Sequence, residues 1–179
     1  EKEWLATCLQ TQNGSTKFGK VISEIKSLGY KILPPDINTS SDVWVYSDDR
    51  QGFVPPLTAI KGVGDAAVKE IMELRPYECL DDIMFNEDGS WKPSKMNKTC
   101  FDSLCKVEAF STLAEFKSGE AVNHRQLHES IVGNYDLLKK GRYGMTKTAY
   151  KRAMKENMFL NPFIDEKLRE NIDLEDWQR

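Results

Sequence analysis

A valine held between two glycines, Gly62-Val63-Gly64, joins two segments with helical apolar spacing, and no other stretch narrows the possible folds as far. The run from Pro56 to Arg75 reads as a short helix, a tight hairpin and a longer helix. Gly62 and Gly64 allow backbone angles barred to other residues and leave no side chain, so another backbone can approach closely. Val63 can turn inward and lock the hairpin onto Ile60 and Ile71. The N–H groups of residues 62–65 open the second helix, where unpaired donors and the helix dipole favour an anion. Lys61 and Lys69 can add charge to a phosphate held there. A site of this kind grips a nucleic-acid backbone without reading bases. The alternative is a plain tight turn, with Asp65 capping the helix through its own carboxylate and competing for the same donors.

Around this hairpin the pattern predicts a mostly α fold with a small β-hairpin. A first helix is expected over Lys2 to Gln12. A second follows Ser15 or Thr16 as N-cap, with Phe18, Val21, Ile22, Ile25 and Leu28 on one face and Gly29 as its C-cap glycine. Tyr30 to Leu33 is a short β-type run. Val43 to Tyr46 and Phe53-Val54 flank a turn and predict the hairpin. Beyond Pro56 the helical candidates are 57–60, 65–75, 79–86, 97–106, 122–139, 146–157 and 164–171. Three regions result: 1–55, 56–120 and 121–179.

Net charge is −3, but its distribution is uneven. Residues 1–90 are net acidic, residues 91–152 hold 12 Lys and Arg against 6 Asp and Glu, and the last 27 are acidic again. A basic middle between acidic flanks suits a locally DNA-facing module within a larger assembly. The cysteines, Cys8, Cys79, Cys100 and Cys105, form no Cys-x-x-Cys pair and read as reduced thiols. No run approaches the ~20 apolar residues of a membrane helix. The helical spacing already under way at Trp4 predicts a chain that starts inside a larger protein or after a removed tag. His124 and His128 stand four apart, a spacing that suits zinc, but no third ligand is near and a solvent-facing pair is expected. Asp48-Asp49 and Asp81-Asp82 are adjacent, which points their carboxylates apart, so each reads as a turn or a solvated helix start. Lys139-Lys140-Gly141-Arg142-Tyr143-Gly144, with Lys147, Lys151 and Arg152, forms a cationic and aromatic patch, either a solvated surface or a second DNA-backbone contact. The segment from Glu156 to Phe163 could dock on a partner.

Several strings together carry a resemblance. Lys31-Ile32-Leu33-Pro34-Pro35-Asp36-Ile37-Asn38-Thr39-Ser40 precedes Ala59-Ile60-Lys61-Gly62-Val63-Gly64 and Arg75. Asn97-Lys98, Ser103-Leu104, Ala109-Phe110 and Asn123-His124-Arg125 follow. Over about residues 1–130 the chain resembles the fingers-to-clamp-binding region of family C replicative DNA polymerases, the bacterial polymerase III alpha subunits. The shortened second half suggests a phage or mobile-element version. The resemblance implies a tandem helix-hairpin-helix that holds duplex primer-template DNA, preceded over 1–55 by the end of a fingers domain. The first hairpin maps to Gly62, Val63 and Gly64. The second maps to Glu108-Ala109-Phe110, where the family has Gly-Ala-Phe, so Glu108 departs in backbone freedom and in charge. The DNA-contacting residues expected are Lys61, Gly62, Val63, Gly64, Lys69, Lys98, Lys139, Lys140 and Arg142. The resemblance puts the catalytic aspartates and their Mg2+ in a palm outside this chain. It implies no catalytic residue, metal or cofactor here, a cytoplasmic setting, and as partners duplex DNA, the rest of the polymerase and a sliding clamp. Two rivals stay open: an interaction module docking on a clamp or polymerase domain, and the hairpin of a repair nuclease or glycosylase.

Overall fold

The computed structural model describes residues 1–114 and 124–142, together with Thr148. Two hydrophobic cores organise them. The first joins helix α1 (Lys2–Gln12), helix α2 (Phe18–Ser27) and a small sheet. Leu5, Leu9, Ile25, Trp44 and Phe53 fill it, with Tyr30, Tyr46 and Phe53 meeting edge to face at 5.0–5.8 Å. Gly29, at φ +87°, ends α2: its N–H reaches Lys26 O and the N–H of Tyr30 reaches Ile25 O, a Schellman closure that needs a left-handed residue.

The expected hairpin supplies two strands of a three-stranded sheet. Strands β2 (Val45–Ser47) and β3 (Gly52–Val54) pair antiparallel, and β1 (Lys31–Ile32) adds to β3 in parallel, giving the order β1-β3-β2. Strand β2 starts two residues later than the Val43-Trp44 pattern suggests, because Trp44 gives its N–H to the side chain of Gln10 on α1 rather than to the ladder.

The second core surrounds the glycine hairpin. A 3-10 turn (Leu57–Ala59), helix α3 (Asp65–Leu74), helix α4 (Leu80–Met84) and helix α5 (Lys98–Lys106) bury Leu57, Ile60, Val63, Ile71, Leu80, Phe101 and Leu104 together. Helix α4 is shorter than the expected 79–86, since Phe85 leaves it to bridge Trp91. The region expected as one helix over 122–139 divides into α6 (His124–His128), a π-helical turn (Glu129–Gly133) and α7 (Tyr135–Leu138). The wider turn still brings Leu127, Ile131, Tyr135 and Leu138 into the hairpin's core. The helices expected over 146–157 and 164–171, and the segment 156–163, lie outside the described residues. Among the described residues no helix is long and apolar enough to cross a membrane.

The Leu33-to-Ser40 string has a structural explanation. Asp36 is 1% exposed, and its Oδ1 accepts from the N–H groups of Asn38 (3.0 Å) and Thr39 (2.9 Å), while Oδ2 accepts from Thr112 Oγ1 (2.5 Å). The loop so closed reaches in several directions. Ile37 N–H donates to Ala109 O at 2.9 Å. Asn38 and Tyr77 exchange two bonds of 2.8 Å through the Asn38 amide, and Arg75 donates to Ser40 O at 2.6 Å. The string is thus a clasp that ties the chain after α3 to the residues after α5.

Glu70 on α3 closes a second contact, accepting from the N–H groups of Ser94, Lys95 and Met96 and from Ser94 Oγ, at 2.7–3.2 Å. Burial opposes its charge, but these four hydrogen bonds outweigh that and hold its pKa below the ordinary value of 4.5. A carboxylate depressed by folding stabilises the protein fully above its unfolded pKa, and the contribution is lost as pH falls through the lower folded value. Glu70→Gln should therefore cost about 2 kcal/mol at neutral pH, with the difference from wild type shrinking below pH 4. Urea midpoints measured from pH 3 to 7 check this; a pH-independent difference would contradict it.

Candidate nucleic-acid interface

Two glycines that look alike in sequence do different things. Gly62 has φ +100°, a left-handed conformation that strains any side chain. A Cβ there would collide with Ser103 Oγ and lie 3.2 Å from Thr99 Cγ2 on α5. Gly62 is therefore glycine for the fold's own reasons. Gly64, the N-cap of α3, has φ −82° and ψ 160°, which any residue adopts, and a Cβ there would meet nothing within 4 Å. Neither the backbone nor the packing demands glycine at 64.

Between them Val63 is buried (6% exposed) with Ile60 and Ile71, as the spacing predicts, and its N–H closes the turn on Ile60 O at 3.1 Å. The N–H groups of Gly62, Gly64, Asp65 and Ala66 meet no acceptor among the described residues. The carboxylate of Asp65 does not take them: it is exposed and caps nothing. The result is an open row of amide donors at the positive end of a ten-residue helix. Lys61 precedes it and Lys69 lies one turn along α3, both exposed. Lys98, exposed in the first turn of α5, belongs to the helix that Gly62 presses on.

The second hairpin is built differently. Glu108 stands at φ +59° and takes the position that Gly29 holds after α2. Its N–H donates to Cys105 O and that of Ala109 to Leu104 O, so both amides serve to end α5. Ala109 and Phe110 are fully buried, and the Glu108 carboxylate faces His124 at 3.7 Å. The packing half of the motif is kept, while its amides are used internally and a negative charge stands at its tip.

Lys139 and Lys140 are exposed after α7. Arg142 sits differently: its guanidinium pairs with Asp81 and lies 5.9 Å from the Phe85 ring centre, and its N–H donates to Gly89 O at 2.7 Å. It anchors the chain after α7 to the turn at Gly89. The rest of that patch, Tyr143, Gly144, Lys147, Lys151 and Arg152, lies outside the described residues. The histidines do not form a solvent-facing pair. His128 bonds Asp102 at 2.5 Å and His124 approaches Glu108, so both sit on the seam between α5 and α6. Cys100 and Cys105 are buried, and burial pushes both thiols up to about 12. The adjacent aspartates are engaged elsewhere: Asp48 pairs with Lys2, Asp81 with Arg142, and Asp82 caps α4 by accepting from the N–H groups of Glu78 and Cys79. These residues do not fit the metal pair of a polymerase. Among the described residues no three His, Cys, Asp or Glu side chains could hold a metal ion together.

This geometry, two helices about a glycine turn with outward amides, defines a class, and the chain belongs to the helix-hairpin-helix motif family, whose model matches residues 29–119. DNA polymerase III alpha subunits are among its curated relatives. It is 33% identical over 135 residues to that of Chlamydia pneumoniae, covering 73% of this chain and 10% of that one. It is 35% identical over 112 residues to that of Aquifex aeolicus, covering 60% and 9%, and 28% identical over 144 residues to that of Escherichia coli K12, covering 75% and 12%. The chain spans about a tenth of the length of these relatives. The resemblance read from the Leu33-to-Ser40 string and the glycine hairpin therefore holds, and the repair-enzyme alternative, which leaves that string unexplained, falls behind it.

Proposed function

We propose that the chain is the duplex-holding segment of a replicative DNA polymerase, and that it grips a DNA phosphate backbone without base specificity at the N-terminus of α3. The observation that carries this is Gly64. Its own fold leaves room for a side chain there, so the absence of one serves something that approaches from outside. The neighbouring N–H groups are free to donate, which suits an anionic backbone. Lys61, before the row of amides, and Lys69, one turn along α3, supply charge beside it, and the exposed Lys98, Lys139 and Lys140 are, on this proposal, further backbone contacts. In this reading region 56–120 faces DNA and region 1–55 continues a fingers domain. Polymerisation and its Mg2+ belong to a palm elsewhere in the parent, in the cytoplasm.

A second reading has support in a shallow groove of about 420 Å³ beside the hairpin, lined by Pro35, Pro55, Pro56, Ile60, Lys61 and Val107 among others. Its apolar lining would suit a docking peptide or another polymerase domain, a sliding clamp included. Titration of a fluorescent 20-base-pair duplex at 25–200 mM salt separates the two. Contact with two to four phosphates predicts an affinity that falls with a log-log slope of about −2 to −4, independent of sequence. Lys61→Glu should weaken binding and flatten the slope. No detectable binding at 25 mM salt would sink the DNA reading and favour the second.

A further inference from the structure

The amide row is aimed by a side chain on another helix. Ser103 Oγ, on α5, donates to Lys61 O in the hairpin at 2.7 Å, and the same oxygen crowds the position a Cβ on Gly62 would take. The carbonyl of Lys61 and the N–H of Gly62 belong to one planar trans peptide, so they point in opposite directions. Drawing the carbonyl in toward α5 turns the Gly62 N–H away from α5, where no described residue accepts it. A carbonyl that accepts a hydrogen bond also polarises its own peptide and makes the attached N–H a stronger donor. Glycine at 62 is what allows Ser103 to come this close.

We propose that Ser103 is a positioning residue for the anion site: it fixes the Lys61–Gly62 peptide so that the Gly62 N–H faces the incoming phosphate. This rests on the DNA-binding reading above. Ser103 carries no charge and touches no phosphate itself, which distinguishes its signature from that of a lysine.

The test uses the full 179-residue chain, a 20-base-pair duplex, and nitrogen–proton correlation spectra. In wild type the amides of Gly62, Gly64 and Asp65 should shift on adding DNA. Ser103→Ala should weaken binding about 3- to 10-fold, one neutral hydrogen bond's worth, with the salt slope unchanged. Its Gly62 shift should shrink while those of Gly64 and Asp65 persist. Ser103→Thr, which keeps the hydroxyl, should recover most of both, and stands in as the comparison if the alanine variant does not fold. If Ser103→Ala binds as wild type with a full Gly62 shift, the positioning role is overturned. It is equally overturned if the Gly62, Gly64 and Asp65 shifts weaken together in proportion to lost folded protein. A wild-type chain that binds no DNA would instead overturn the underlying reading, and the two failures are told apart by that control.

Discussion

Gly64→Glu is expected to reduce affinity for duplex DNA about 100-fold while leaving the melting temperature within ~2 °C of wild type. The substituted residue keeps an ordinary backbone conformation and meets nothing in the fold, so stability has no reason to fall. Binding does. A side chain at the N-cap of α3 blocks close approach to the amides of Gly64, Asp65 and Ala66, and its carboxylate repels a phosphate. The loss of two or three such bonds, each about 1 kcal/mol, accounts for the factor. Gly62→Ala should show the reverse emphasis. It strains a left-handed backbone, about 1–2 kcal/mol, and pushes Ser103 off Lys61 O, so the melting temperature should drop by roughly 6–10 °C. Thermal melts and titrations on both variants form the check. Equal destabilisation by both would mean that Gly64 is needed by the fold after all, and unaltered binding by Gly64→Glu would mean that no backbone comes near it.

That contrast marks how far the residues alone reach. Gly-Val-Gly between apolar segments announces a hairpin because Val63, Ile60 and Ile71 share one side and must meet. It cannot say which glycine serves the fold, since that depends on Ser103 and Thr99, some 40 positions away, with no periodic signal to mark them. The Leu33-to-Ser40 string is specific as a resemblance, yet its work as a clasp is invisible until Tyr77, Ala109 and Thr112 are placed around Asp36–Asn38. Helix boundaries fail for similar reasons. The continuous helix expected over 122–139 keeps the right apolar residues but widens at Glu129–Gly133, a change in hydrogen bonding that apolar spacing barely registers. The parallel strand β1 depends on a pairing across some 20 residues, which alternation within a strand cannot predict. Glu108 is the instructive case in the other direction. Its departure from glycine is plain in the sequence and suggests a lost phosphate contact. The structure adds what the residue type does not show: the N–H groups of Glu108 and Ala109 end α5, and the Glu108 carboxylate stands beside His124.

Asp36→Ala is expected to destabilise the chain by about 3–4 kcal/mol. The carboxylate is almost wholly buried and accepts from two backbone N–H groups and one hydroxyl. Alanine leaves three donors in a site from which water is largely excluded, each costing about 1 kcal/mol or more. Asp36→Asn should cost less, about 1–2 kcal/mol, because one carbonyl oxygen still serves Asn38 and Thr39 while the amide nitrogen turns a donor toward Thr112. The loop that Asp36 closes also carries Ile37 to Ala109, Asn38 to Tyr77 and Ser40 to Arg75. Its loss should therefore loosen the region after α3 and the Glu108 turn together, seen as faster hydrogen exchange at Ile37, Tyr77 and Ala109 in the same variant. DNA affinity of the molecules that remain folded should change little, since none of these bonds touches the amides at Gly64. Urea unfolding measures the first effect and exchange the second. A cost under 1 kcal/mol, or faster exchange confined to residues 36–40, would mean that the clasp closes only itself and that the two hairpins are held together by their shared apolar core alone.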